Sequence, residues 1–102
     1  MRILMFIVLA LTFVKAHASE AHGRVYDVYV HKSTKVFFRI EGAKTAECAG
    51  SGRYAISLTG EGGEALFATL LSARASKEPI YIKGSGVCNL HHDTEDINYI
   101  KY

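Results

Sequence analysis

Proline occurs once, at Pro79, and tryptophan not at all. No proline-rich linker, low-complexity tract or internal repeat divides the chain. Cysteine occurs only twice and never as Cys-x-x-Cys, which removes the usual spacing of zinc ribbons and redox motifs. Excess charge is also scarce. The chain has 12 Lys+Arg against 10 Asp+Glu, and Arg2 and Lys15 fall in its first 18 residues, leaving ten of each sign beyond them. That balance argues against a cationic nucleic-acid binder. After Val14 no apolar run is long enough to cross a bilayer. Residues 19–102 are too few for a Rossmann fold, a kinase or a TIM barrel, and make one domain.

The hydrophobic excess sits at the start. Met1-Arg2 is a short positive beginning. Residues 3–14 are apolar except for Thr12. Ala16-His17-Ala18 closes with small residues in Ala-x-Ala spacing. This is the layout of a secretory signal peptide, with cleavage expected after Ala18. Twelve helical residues span about 18 Å, short of a roughly 30 Å bilayer core. The mature chain is expected to be secreted or periplasmic, with no stable membrane insertion.

In that setting two cysteines imply one disulfide, Cys48–Cys88. Closing a loop of that length is worth roughly 4 kcal/mol on the chain-entropy estimate. A catalytic thiol or a pair of metal ligands is the competing reading.

Five strands and one helix are expected in the order β-β-β-α-β-β. Arg24 to His31 alternates at period two, and where Tyr26, Val28 and Val30 point inward, Asp27 and Tyr29 point out. His31 to Thr34 is a break of hairpin length. Lys35 to Glu41 puts Val36, Phe38 and Ile40 on one face, with Phe37 and Arg39 on the other. Arg53 to Leu58 aligns Tyr54, Ile56 and Leu58. From about Glu64 to Lys77 the pattern turns helical, with Leu66, Phe67, Leu70 and Leu71 recurring at helical spacing. Pro79 bars continuation. Ile80 to Lys83 and about Asp96 to Tyr102 complete the set. The count, order and length fit a mostly β, α+β domain of OB-like type, a five-stranded barrel with a helix between strands three and four. A plain antiparallel sheet with the helix on one face is the alternative.

Cys48, Arg53-Tyr54-Ala55-Ile56, Leu70-Leu71-Ser72-Ala73, Ile80-Tyr81-Ile82, Gly84 to Cys88 and Glu95 to Ile100 together carry a resemblance. In order and spacing the chain resembles small exported bacterial proteins related in layout to the B subunits of AB5 toxins, of the subtilase-cytotoxin and pertussis-like type. The resemblance implies an OB fold, a disulfide, homo-oligomeric rings of five and recognition of cell-surface glycans. No sugar-contacting residue maps across.

His91-His92-Asp93-Thr94-Glu95 is the densest group of ligand-type side chains. Adjacent histidines on an extended chain point to opposite faces, so a shared metal is disfavoured and a polar loop is the plain reading. No metal or other cofactor is expected. Gly84 to Cys88 lacks the last glycine of a nucleophile elbow, and Gly60-Glu61-Gly62-Gly63 lacks the lysine of a phosphate loop. No enzymatic activity is expected.

The six tyrosines fall on or beside strands. An exposed one can stack on a sugar ring or anchor a protein. Arg39 and Arg53 lie on polar phases, suited to an acidic sugar or to a cross-strand salt bridge. In OB folds two loops frame the binding face, here His31 to Thr34 and Lys83 to Glu95. The candidate binding residues are therefore Tyr29, Lys32, Ser33, Tyr81, His91, His92 and Asp93, for a glycan or protein ligand. A periplasmic inhibitor of a hydrolase, inserting the 43–52 loop, is the second reading. A metal carrier using His91 and His92 is the third.

Overall fold

Alternating apolar residues lay down most of the sheet. The computed structural model describes residues 18–102, so the expected signal peptide lies outside the described residues apart from Ala18. The elements are β1 (Glu20–Gly23), β2 (Val25–His31), β3 (Lys35–Ile40), β4 (Arg53–Ser57), α1 (Gly63–Ser76), β5 (Ile80–Gly84) and β6 (Thr94–Lys101). The result is an α+β arrangement: one mixed six-stranded sheet, one helix and one disulfide.

The strand order is β1-β5-β6-β4-β3-β2. Every pairing is antiparallel except β4 with β6, which is parallel. A parallel neighbour needs a long crossover, and α1 with β5 supplies it. The strand β6 changes partner midway. Thr94 to Asp96 pair with β4, and Ile97 to Lys101 pair with β5.

Six strands stand where five were expected. The extra one is β1, whose Glu-Ala-His-Gly composition has little strand propensity. It forms because it pairs with β5, Ala21 opposite Ile82, and buries Ala21. Only Arg24 separates β1 from β2, although the two lie at opposite ends of the sheet order. The ladder is not closed by hydrogen bonds between them. The chain bends there against β3: Glu41 N–H donates to Arg24 O at 2.9 Å. Gly23 permits this approach, since a Cβ at that position would lie 2.3 Å from the Glu41 carbonyl oxygen.

The core gathers Val36, Phe38 and Ile40 of β3, Tyr54 and Ile56 of β4, Ile80 and Ile82 of β5, Ala21 and Val25, closed by Leu70 and Ala73 of α1. The Phe38 and Tyr54 rings stack at 5.6 Å. The expected inward set on β2 is corrected at Tyr26 and Val30. A bulge between Val25 and Asp27 adds one residue, so Val25 and Val28 both face the core. Tyr26 is the extra residue and is 51% exposed, while Val30 is exposed near the end of this outermost strand.

The helix carries Glu64 in its first turn and Arg74 in its last, matching its dipole. It ends at Lys77, which takes the left-handed conformation and donates to Ala73 O. Leu66, Phe67 and Leu70 meet the core as expected, but Leu71 turns outward and is 44% exposed. Gly63, Leu70 and Ala73 are the buried positions instead. Gly63 is tight against β4, where an added Cβ would stand 1.7 Å from the Ser57 carbonyl oxygen.

Candidate functional site

The residues of β2, β3 and β4 out of phase with the core share the opposite face of the sheet. Register places Tyr29 beside Phe37 beside Ala55, and His31 beside Lys35 beside Ser57. Phe37 is therefore on the outer face, yet only 4% exposed. Side chains from β2, β4 and the loop before β6 cover it. The Tyr29 ring lies 5.2 Å away and the His91 ring approaches edge-on at 5.0 Å. The Arg53 guanidinium sits 5.8 Å from the Phe37 centroid and 5.9 Å from that of Tyr29. It also donates to the Tyr29 hydroxyl. The His31 ring is 6.5 Å from Phe37, and the His92 ring lies tilted beside that of His91 at 4.5 Å. A cation over two aromatic faces gains from their quadrupoles. Tyr29 still leaves 38% of its surface open to solvent.

The face is electropositive. The His91 pKa is lowered, first by burial and then by His92, Lys35, Arg53 and His31 around it. Arg53 Nε is buried without a hydrogen-bond partner among the described residues. Arg39, the other polar-phase arginine, is paired: it bonds Asp27 at 2.8 Å across β2 and β3. The salt-bridge reading holds for Arg39. Arg53 spends its charge on aromatic rings.

Two loops fix the rim. Cys48 and Cys88 are bonded, as expected, joining the 43–52 loop to the segment after β5. Asp93 reinforces that junction. Its carboxylate accepts from Gly50 N–H at 3.2 Å, and its carbonyl accepts from the Ser51 hydroxyl. Its φ of 60° turns the chain, with Thr94 bridging back to His91. Aspartate tolerates this conformation better than most residues. Asp93 thus shapes the rim, and its carboxylate is committed to a backbone amide.

The other candidates divide. Lys32 and Ser33 occupy the exposed β2–β3 turn. Ser33 N–H donates to His31 Nδ1 at 3.1 Å, and the Ser33 hydroxyl lies 2.8 Å from the same nitrogen. This serine–histidine contact is local turn geometry, with the ring nitrogen already accepting a backbone amide. Tyr81 is apart from the Tyr29–His91 group. It faces Tyr99 at 6.2 Å in an open groove of about 440 Å³, lined by His22, Pro79, Tyr81, Tyr99, Lys101 and Tyr102. Burial and the neighbouring Glu20 raise the Tyr81 pKa.

Sequence reasoning reached Tyr29, Arg53 and His91 separately. It missed that Phe37 joins them, together with Lys35 and His31. The signal was present: Phe37 is an apolar residue on a polar phase, and such a residue needs a cover. Among the described residues no three His, Cys, Asp or Glu side chains converge to hold a metal, and no helix is long and apolar enough to cross a membrane. No family model, no curated protein and no solved structure matches this chain.

Proposed function

We propose that the mature chain is an exported, non-catalytic binding module of OB-like barrel type that recognises a glycan bearing a carboxylate. The observation that carries the reading is the Phe37 floor with Tyr29, Arg53 and His91 over it. The open part of the Tyr29 ring, seated on Phe37, suits the face of a sugar ring, and a guanidinium suits its carboxylate. The two loops expected to frame the face in a barrel of this type contribute His31 and His91 to the cluster. The barrel reading draws support from β1 and β2, which are consecutive in the chain yet end the sheet order on opposite sides. Export draws support from the Ala16-His17-Ala18 pattern and the disulfide.

Binding of the oxidised mature protein to arrayed acidic and neutral glycans tests the reading. Acidic glycans are retained, and Arg53→Ala weakens that retention about ten-fold or more. Equal retention of neutral glycans, or an unchanged Arg53→Ala variant, overturns it. The toxin-subunit resemblance adds an assembly of five copies, which light scattering on residues 19–102 reads directly. A tight one-to-one complex with a hydrolase would favour the inhibitor reading instead. Its inserting element, the 43–52 loop, is held at Ala46, Cys48 and Gly50.

A further inference from the structure

Among the described residues one carboxylate is fully buried, and it lies outside the binding face. Glu95, at 0% exposure, is the middle residue of the parallel pairing of β6 with β4, opposite Tyr54. Its carboxylate accepts from Ala46 N–H at 2.6 Å, Gly86 N–H at 2.9 Å, the Ser19 hydroxyl at 2.7 Å and Ser19 N–H at 3.3 Å. Ser19 gives its hydroxyl proton to Glu95, so the Tyr54 hydroxyl, 2.9 Å from Ser19 Oγ, is the donor to it. Burial above all raises the Tyr54 pKa, which keeps that proton in place. All four groups on Glu95 are donors, the complement an ionised carboxylate accepts. None is a cation. The nearby charged pair, Glu20 with Lys83, bonds to itself at 2.8 Å. A buried carboxylate without a counter-charge is costly.

The sequence offers the missing charge. The Ala16-His17-Ala18 pattern sets cleavage between Ala18 and Ser19, the residue whose nitrogen already points at Glu95. We infer that leader cleavage creates a structural ion pair between the new Ser19 α-ammonium group and the buried Glu95 carboxylate. Water adds across the Ala18–Ser19 amide under a leader-removing peptidase. The carbonyl carbon of Ala18 takes the hydroxyl, the C–N bond breaks, and the nitrogen leaves with the other proton. The new carboxyl group then yields a proton to the amine, leaving a carboxylate on the leader and –NH₃⁺ on Ser19. The pair links the start of the mature chain to β6, the 43–52 loop and the segment after β5. Maturation thereby completes the fold. The inference rests on the cleavage site and is independent of any ligand.

Intact mass of the exported protein reads the cleavage site, and cleavage elsewhere removes the pair at its source. Chains 19–102 and 18–102 are then compared. The second retains the Ser19 amide donor but moves the charge one residue away. Its folding constant should fall roughly ten-fold, and the difference should vanish in the Glu95→Gln background. In 19–102 the Ser19 amine should titrate well above the roughly 7.7–8.0 of a free α-amino group. That titration needs no variant to fold. Equal stability of the two chains, or an amine titrating at its ordinary value, overturns the pair even where cleavage after Ala18 is confirmed.

Discussion

Phe37 shows how a single side chain can be apolar, outward-facing and buried at once. Its cover includes a histidine whose protonation is coupled to folding. His91 packs edge-on against it and is held below the ordinary imidazole pKa, first by burial and then by neighbouring cations. The unfolded chain therefore takes up a proton near pH 6.5, where the folded chain does not. The stability that follows is fully present above that pH and is lost as pH falls through the folded-state value. Urea unfolding between pH 7.5 and 5 should show this slope, and His91→Gln should flatten it. An unchanged slope in the variant would assign the effect to another group. The outward phase of Phe37 and Arg53 was legible in the sequence, because alternation alone decides it. The meeting of Phe37 with His91 was not, since more than fifty positions separate them and only the loop geometry brings them together. Glu95 reads as part of a polar loop in sequence. Its burial depends on three backbone segments that no local pattern reports.

Among the elements, the most legible were those with strong internal signals. The helix was marked by its apolar spacing and by Pro79, and β3 and β4 by strict alternation. The least legible was β1, four residues whose pairing is decided by β5 rather than by their own preference. The bulge in β2 was equally hidden, because one extra residue turns Val25 inward and Tyr26 outward without altering composition. Gly63 joins the helix to the sheet most closely. Ala at this position suits a helix better in isolation, but here its Cβ would collide with the Ser57 carbonyl. Gly63→Ala should therefore destabilise the domain by about 3 kcal/mol, seen as a lower melting temperature by circular dichroism. A neutral or stabilising result would mean that α1 can slide away from β4 at little cost.

At the scale of the whole molecule, the Cys48–Cys88 bond spans the two loops at the rim of the proposed binding face, with Cα atoms 6.1 Å apart. Reduction should lower stability by roughly 4 kcal/mol on the chain-entropy estimate, read as a shift in the urea midpoint. The Gly50 and Ala46 amides, which bond to Asp93 and Glu95, should be among the first to lose hydrogen-exchange protection. An unchanged midpoint would show that these hydrogen bonds hold the loops unaided.

The divided pairing of β6 bears on how such a chain reaches its native state. Its first residues need β4 and its last need β5, with the whole helix lying between those two partners in the chain. The β2-β3-β4 half is a meander of consecutive antiparallel strands, but β1 and β5 join it only through β6, the last of the six described strands in chain order. The two halves of the sheet therefore unite only once β6 is in place, through pairings between segments distant in the chain. That is the topology of a slow, all-or-none folder. Under the export proposed above, a sheet whose halves cannot unite before β6 would leave the earlier segments open for threading across a membrane.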